Sequence, residues 1–195
     1  GCLGFRAADS GWGLAAFGLW SSGLIARVVG WNVYFQSGLM PGTDLWFRLG
    51  GVLLALGAGA MTLSLGVFSP VRHANPSQKF IRSAFAWLLI AGALLILEPL
   101  HLRAIGAPFS HAYTGAIRHA VTVGFISQMI VAVGYHLVTK MLMLDERKVP
   151  ALWSVFVLLN VGNAARVGLE IITDVNRSAF APMGWTGFVE LLGLG

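Results

Sequence analysis

The chain has 195 residues, of which 56% are hydrophobic and only 11% charged, and its mean hydropathy is +0.75. Soluble domains carry about 25% charged residues, so this composition excludes an ordinary soluble protein and predicts an integral membrane protein. The net charge of +5 is not arranged as a basic stripe interleaved with aromatic residues, so no nucleic-acid partner is expected. A single cysteine, Cys2, excludes an internal disulfide and a multi-cysteine metal site.

Five apolar segments are long enough to cross a bilayer, since a membrane-spanning helix needs about 20 mostly apolar residues. A sixth apolar segment begins near Pro182 and stops with the sequence, which predicts that the chain is part of a longer protein. The predicted fold is all-α: a single polytopic transmembrane helical bundle over residues 1–195, with five full spans and a partial sixth. In chain order the five spans are predicted at residues 11–35, 49–68, 80–100, 116–142 and 150–172, the last opened by Pro150.

Basic residues are distributed unevenly between the two sets of connections. If the spans alternate in direction, seven basic residues lie on one side and three on the other. The positive-inside rule predicts that this multi-pass protein has its N-terminus in the cytoplasm. The expected location is the bacterial inner membrane. The richer side holds Arg6, Arg72, Lys79, Arg82, Lys140, Arg147 and Lys148, and the poorer side holds Arg48, Arg103 and Arg177.

Six ionisable residues of the predicted spans fall at one membrane depth, although they come from four segments. A charge at the bilayer centre costs about 2.5–3.5 kcal/mol on insertion scales, so such groups are expected to face one another or a cofactor. We expect Arg166 to pair with Glu170, Glu98 or a cofactor carboxylate, and Arg27 to face the same interior, because arginine matches carboxylates in bidentate fashion. The six residues are Arg27, Glu98, His101, His119, Arg166 and Glu170.

The fifth span carries a polar stripe that is predicted to face the bundle. At 100° per residue its polar residues fall within a sector roughly 120° wide. Two interpretations remain open: a structural Arg–Glu pair that locks helices together with the help of asparagine hydrogen bonds, or a ligand site. The stripe consists of Asn160, Asn163, Arg166, Glu170 and Asp174.

His119, in the fourth span, is the candidate ligand for haem iron or copper, because neutral imidazole binds both. The alternative is a hydrogen-bonded core histidine. Gly115 and Gly124 on the same helix would let a bulky ring approach closely. Thr122, one turn on, is the predicted partner that orients the imidazole. A second axial ligand is expected from His101 or from a histidine outside this segment.

Two further histidines are assigned to other places. His136 lies 17 residues after His119, about 25 Å along a helix, so the two cannot bind the same iron. An interfacial position is predicted for His136. His111 is predicted in a loop that folds over the site.

A family resemblance centres on the same helix. The segment Arg118–Ile130, RHAVTVGFISQMI, resembles the HALTVG…MI signature of the NnrS family, and Leu158–Val167, LLNVGNAARV, resembles that family's following helix. NnrS proteins are polytopic membrane proteins described as containing haem and copper and linked to nitric oxide metabolism. The resemblance covers residues 117–167 and implies haem b, with copper as a further possibility, at His119.

The predicted function is an NnrS-like membrane protein that binds haem or metal and is linked to respiration or nitric oxide metabolism. The alternative is a non-catalytic transmembrane subunit that packs against a larger respiratory or photosynthetic complex. A transporter is a third possibility, although no pair of broken helices points to a substrate site. Whether the protein is an enzyme stays open. The expected partners are the lipid bilayer and either other membrane subunits or the rest of a longer chain.

Overall fold

The computed structural model describes residues 10–70, 76–144 and 150–194. Within these ranges the chain forms six helices and no β-strand, which confirms the predicted all-α bundle. The first five helices are long and apolar enough to cross a membrane, so the fold fits a multi-pass membrane protein. In chain order the helices are α1 (Ser10–Gln36), α2 (Leu45–Ser64), α3 (Ser77–Ile105), α4 (His111–Met141), α5 (Trp153–Thr173) and α6 (Phe180–Leu194).

Helix α4 begins earlier than predicted, because a local capping signal precedes it. The Ser110 side chain accepts a hydrogen bond from the Tyr113 backbone N–H at 2.9 Å, which satisfies one of the free donors of the first turn. The prediction that His111 lies in a loop was therefore wrong: His111 is the first residue of α4. Helix α3 ends at Gly106, whose φ of +67° is left-handed and suits glycine.

Helix α5 begins later than predicted. Pro150 precedes the helix, which starts at Trp153, so the prediction that this proline opens the span was wrong. Lys79 of α3 donates a hydrogen bond to the Ala151 carbonyl, and its ammonium group lies 3.9 Å from the centre of the Trp153 ring. Leu152, directly before the helix, has a left-handed φ of +48°, so the helix begins after it. The Lys79 contacts join this segment to α3.

Neighbouring helices pack in chain order, α1 on α2, α2 on α3, α3 on α4, α4 on α5 and α5 on α6. One apolar core lies among α2, α3 and α4, and a second lies among α3, α4 and α5. The first core includes Ala58, Phe80, Phe85, Leu88 and Ala132. The second core includes Trp87, Ala91, Ala116, Ala120 and Val167.

Helices α1 and α2 touch through glycine. A Cβ atom added to Gly50 would lie 2.5 Å from the backbone nitrogen of Arg27, and one added to Gly30 would overlap the backbone of Phe47. Small residues of this kind allow two membrane helices to approach backbone to backbone. The contact places Arg27 against α2 and directs its side chain toward α3.

The end of the bundle at which α1, α3 and α5 finish and α2 and α4 begin is called the Gly106 end. The predicted orientation of this end depends partly on basic residues that lie outside the described ranges, and it stays a prediction. Those residues are Arg6, Arg72, Arg147 and Lys148.

Candidate functional site

Ionisable residues from four helices form three groups in the half of the bundle nearest the Gly106 end. Each group joins residues that lie far apart in the sequence. This agrees with the expectation that ionisable residues at a common membrane depth face one another. The prediction that Arg166 reaches a carboxylate and that Arg27 faces the interior is confirmed. The three groups are Arg27 with Glu98, His101 with Asp174, and His119 with Glu170 and Arg166.

The Glu170 carboxylate of α5 lies at the centre of the third group. Its Oε2 lies 3.1 Å from Nδ1 of His119 on α4, and its Oε1 accepts a hydrogen bond of 3.1 Å from Nε of Arg166, one turn earlier on α5. Glu170 is buried and packs against Gly115, where a Cβ atom would lie 3.2 Å from Oε2. Arg166 also donates to the Met183 carbonyl of α6 at 3.1 Å, so the group connects three helices.

The two partners of His119 Nδ1 determine the tautomer of the imidazole. Besides Glu170 Oε2, Nδ1 lies 3.2 Å from the Gly115 carbonyl oxygen, and both partners are acceptors. The proton of the neutral ring therefore lies on Nδ1, and Nε2 carries the lone pair. Among the described residues no hydrogen-bond partner contacts Nε2, and the side chain is 28% exposed. The ring thus presents, on a partly exposed side chain, a nitrogen whose lone pair is the form of imidazole that can ligate a metal.

The orienting residue is Glu170 and not Thr122. The Thr122 hydroxyl donates to the Arg118 carbonyl at 2.9 Å and is exposed, so the prediction that Thr122 orients His119 was wrong. A carboxylate is the stronger orienting partner, because it fixes the ring and raises the basicity of the ligating nitrogen.

Helix α4 widens to a π-helix directly after His119, over Ala120–Ser127. The buried side chain of Asn163 on α5 contacts this segment. In the amide orientation that satisfies both neighbours, its nitrogen donates to the His119 carbonyl at 3.1 Å and its oxygen accepts from the Gly124 N–H at 3.3 Å. These two groups are five residues apart, the spacing of a π-helical hydrogen bond. Asn163 therefore holds the turn that carries His119.

Gly124 is required by this packing, and its replacement by alanine is expected to destabilise the protein. The added Cβ atom would lie 2.5 Å from Cγ of Trp87 and 2.7 Å from the terminal amide of Asn163, so side chains in a filled core would have to move. Overpacking of this kind costs about 1–3 kcal/mol. The measurement is unfolding by SDS in mixed micelles, followed by circular dichroism.

The matched control is Gly134→Ala on the same helix, where no atom lies within 4 Å of the added Cβ. We expect this variant to unfold at the wild-type SDS concentration or higher, because alanine favours helix by about 1 kcal/mol. Equal destabilisation by both alanines would show that the contact of Gly124 with Trp87 and Asn163 is unimportant.

His101 belongs to a separate pair. Its Nε2 lies 2.7 Å from Oδ2 of Asp174, which also accepts a hydrogen bond of 2.6 Å from the Ser110 hydroxyl, and its ring stacks on Tyr113. Asp174 follows Glu170 by one helical turn, so α5 presents two carboxylates that each hold a histidine. The structure places His101 beside Asp174, and His119 beside Glu170.

Arg27 and Glu98 form the most enclosed ion pair of the three groups. Nη2 of Arg27 donates to Oε2 of Glu98 at 2.7 Å, and the side chains are 15% and 5% exposed. Nη1 lies 3.4 Å from the Phe47 carbonyl, and the guanidinium carbon lies 3.9 Å from the centre of the Phe47 ring. Arg27 thus joins α1, α2 and α3.

The polar stripe of α5 faces the bundle, as predicted, and it meets residues that sequence reasoning missed. The Asn160 amide oxygen accepts hydrogen bonds from three side chains, those of Ser83 at 2.5 Å, Trp87 at 2.9 Å and Gln128 at 3.2 Å. Gln128 is fully buried, so this network is an internal crosslink of α3, α4 and α5. Gln128 could have been found from the sequence, because a polar residue within an otherwise apolar span is expected to face a polar partner inside the bundle.

Glu190 of α6 is a second residue that sequence reasoning missed. It packs against Gly162 of α5, where an added Cβ atom would lie 2.8 Å from Cγ of Glu190. Its Oε1 atom is buried without a hydrogen-bond partner among the described residues. His119 and Arg166 are near enough to act electrostatically on this group, so α6 adds a carboxyl group beside the His119 site.

Haem would need fewer ligands from the chain than a metal ion held by side chains alone. Within residues 10–70, 76–144 and 150–194, no three His, Cys, Asp or Glu side chains converge in a way that would hold a metal ion. Haem iron needs only one or two axial ligands from the protein, because the porphyrin supplies the others.

His136, also on α4, has a buried Nδ1 without a partner in the described part of the chain.

Comparison with family models, curated proteins and solved structures finds no match to this chain. The resemblance to the NnrS family stays a prediction.

Proposed function

We propose that the protein is an NnrS-like membrane haem protein of respiration or nitric oxide metabolism, in which His119 is an axial ligand through Nε2. The observation that carries the proposal is the contact between His119 Nδ1 and the Glu170 carboxylate, with Nε2 left open. Metal-ligating histidines almost always donate their other ring N–H to a carboxylate, a carbonyl or water. Here the carboxylate and a carbonyl both accept from the same nitrogen.

The chain's own residues would bind and orient the cofactor. Glu170 and the Gly115 carbonyl hold the ring of His119, and Asn163 holds the backbone turn that bears it. Haem supplies redox chemistry or binding of a diatomic ligand when bound. Because the side chain of His119 is part of the bundle surface, the cofactor would lie between this bundle and another chain or segment, which supplies the second axial ligand if His101 does not.

His119→Ala is expected to abolish haem binding. Purified wild-type protein and the variant are compared by visible absorption, by the pyridine haemochrome assay and by copper analysis. We expect about one haem per chain in the wild type and less than a tenth of that in the variant, because an axial imidazole is lost.

His136→Ala is the matched control, since it removes a histidine about 25 Å away on the same helix. It should retain the wild-type haem content. Equal haem and copper in wild type and His119→Ala, or neither in the wild type, would reject the ligand assignment. Copper without haem in the wild type, lost in His119→Ala, would assign the site to copper with ligands from outside this chain.

A second candidate function is a non-catalytic transmembrane subunit of a larger membrane complex. The observation that favours it is that every residue of the polar stripe on α5 has a hydrogen-bonded partner within the chain, as a purely structural crosslink requires. A colourless protein that is stable only when purified with partner subunits would support this function.

For the location we propose the bacterial inner membrane, with the N-terminus in the cytoplasm. The support is the bias of basic residues toward one set of connections. Alkaline phosphatase fused after α1 or after α2 tests this orientation, because the two fusion points lie on opposite sides of the membrane. The enzyme should be active after α1, outside the cytoplasm, and inactive after α2. Activity after α2 and none after α1 would overturn the orientation.

A further inference from the structure

A cavity of about 450 Å³ lies between α1 and α4 near the Gly106 end. Small-molecule sites usually have volumes of about 300–1,000 Å³. Its walls include the rings of Trp31, Phe47 and Phe109. On the α1 side the rim consists of Leu24 and Val28, which are 51% and 55% exposed and continue into the apolar outer surface of that helix. The cavity therefore opens toward the hydrocarbon of the bilayer.

Two guanidinium groups line this cavity, but only one is neutralised. Arg27 is paired with Glu98 at 2.7 Å, whereas Arg118 has no ion-pair partner among the described residues. Arg118 lies seven residues into α4, about 10 Å from the start of the helix. An arginine inside a membrane span is costly unless it meets an anion, and the excess positive charge of the cavity is complementary to one.

We propose that this cavity binds an anionic membrane lipid, whose charged oxygens contact Arg118 and whose hydrocarbon chain lies along Leu24 and Val28. The guanidinium group offers donors in a fork that suits phosphate or carboxylate oxygens. The apolar walls and the lateral opening select an amphiphile over a soluble anion. The site goes beyond the proposed haem function and does not depend on it.

The test is native mass spectrometry of detergent-purified protein titrated with dioleoylphosphatidylglycerol or dioleoylphosphatidylcholine, whose acyl chains are identical. The wild type should bind the anionic lipid about fivefold more tightly, as expected for one arginine. Arg118→Gln should remove this preference. Arg103→Gln, which removes an exposed positive charge at the same end but outside the cavity, should keep it. Titration with oleate tests a carboxylate headgroup. If oleate and phosphatidylglycerol both bind the wild type more tightly than phosphatidylcholine, and by the same factor, the site accepts any anionic amphiphile.

Val28→Trp tests the cavity without changing its charge. The larger ring should fill the rim and weaken binding of the anionic lipid at least about fivefold while Arg118 remains, with an unchanged circular dichroism spectrum. If Arg118→Gln fails to fold, this variant decides the question alone. Equal binding of both lipids by the wild type, or unchanged binding of the anionic lipid in either Arg118→Gln or Val28→Trp, would overturn the proposal.

Discussion

Replacing Glu98 by leucine is expected to destabilise the bundle by about 3–5 kcal/mol, the usual cost of leaving one partner of a buried ion pair without the other. Arg27 would keep its charge between α1, α2 and α3, with only the Phe47 carbonyl and ring as partners. Neither contact supplies a counter-charge. Unfolding by SDS in mixed micelles, followed by circular dichroism, measures the loss.

The double variant Arg27→Met with Glu98→Leu should recover most of that stability. Apolar residues of similar volume often replace a buried ion pair at no cost, because both desolvation penalties disappear together. The single variant Arg27→Met should be destabilised as Glu98→Leu is. Additive losses in the double variant would show that the two side chains contribute independently, and the ion pair would then not explain how α1 is held.

Replacing Glu170 by glutamine is expected to have two separate effects. The amide has the same shape but no charge, so Arg166 loses its counter-ion inside a span, which costs about 3–5 kcal/mol. The amide is also a weaker acceptor for His119 Nδ1, so under the proposed haem function haem affinity should fall about 10–100-fold, the usual effect of removing an outer partner of a ligating histidine. The first effect is measured by SDS unfolding and the second by haem titration of the apoprotein.

Asp44→Asn is the matched control, because Asp44 and Arg48 form an ion pair with the same four-residue spacing as Arg166 and Glu170. The Arg48 side chain is 45% exposed and the Asp44 side chain 12% exposed, so Arg48 keeps its contact with water and the expected loss is about 1 kcal/mol, the upper value for exposed pairs. This variant should lose little stability and no haem affinity. Lost stability with wild-type haem affinity in Glu170→Gln would separate Glu170 from the cofactor and favour the structural subunit.

The spans and the common membrane depth of the six ionisable residues could be predicted from the sequence, because hydropathy and depth are properties of one helix at a time. The inward face of the α5 stripe follows from the same information, whereas α3 (Ser77–Ile105) extends beyond the predicted span 80–100 at both ends. Helix ends were less predictable. The Ser110 cap is a local signal that places His111 in α4, whereas the segment before α5 contacts Lys79, which is 72 residues away from Ala151.

The partners of His119 could not be predicted from its own helix. Thr122 is adjacent on α4, but the rotation of α4 against α5 brings Glu170 to the ring instead. The π-helical turn depends in the same way on Asn163 from another helix. Contacts of this kind depend on how two helices are rotated and spaced. Glycines such as Gly115 and Gly124 allow a close spacing, but the spacing can be predicted only if the residues that face them are known.

The pairing of Arg27 with Glu98 has a consequence for how the protein is made. Arg27 leaves the ribosome 71 residues before Glu98, so at about 5–20 residues per second it waits roughly 4–14 seconds for its counter-ion. During that interval α1 carries an arginine whose insertion into lipid alone costs about 2.5–3.5 kcal/mol. We therefore expect helix α1 to stay beside the translocon, or in contact with α2 through Gly30 and Gly50, until α3 emerges and neutralises Arg27.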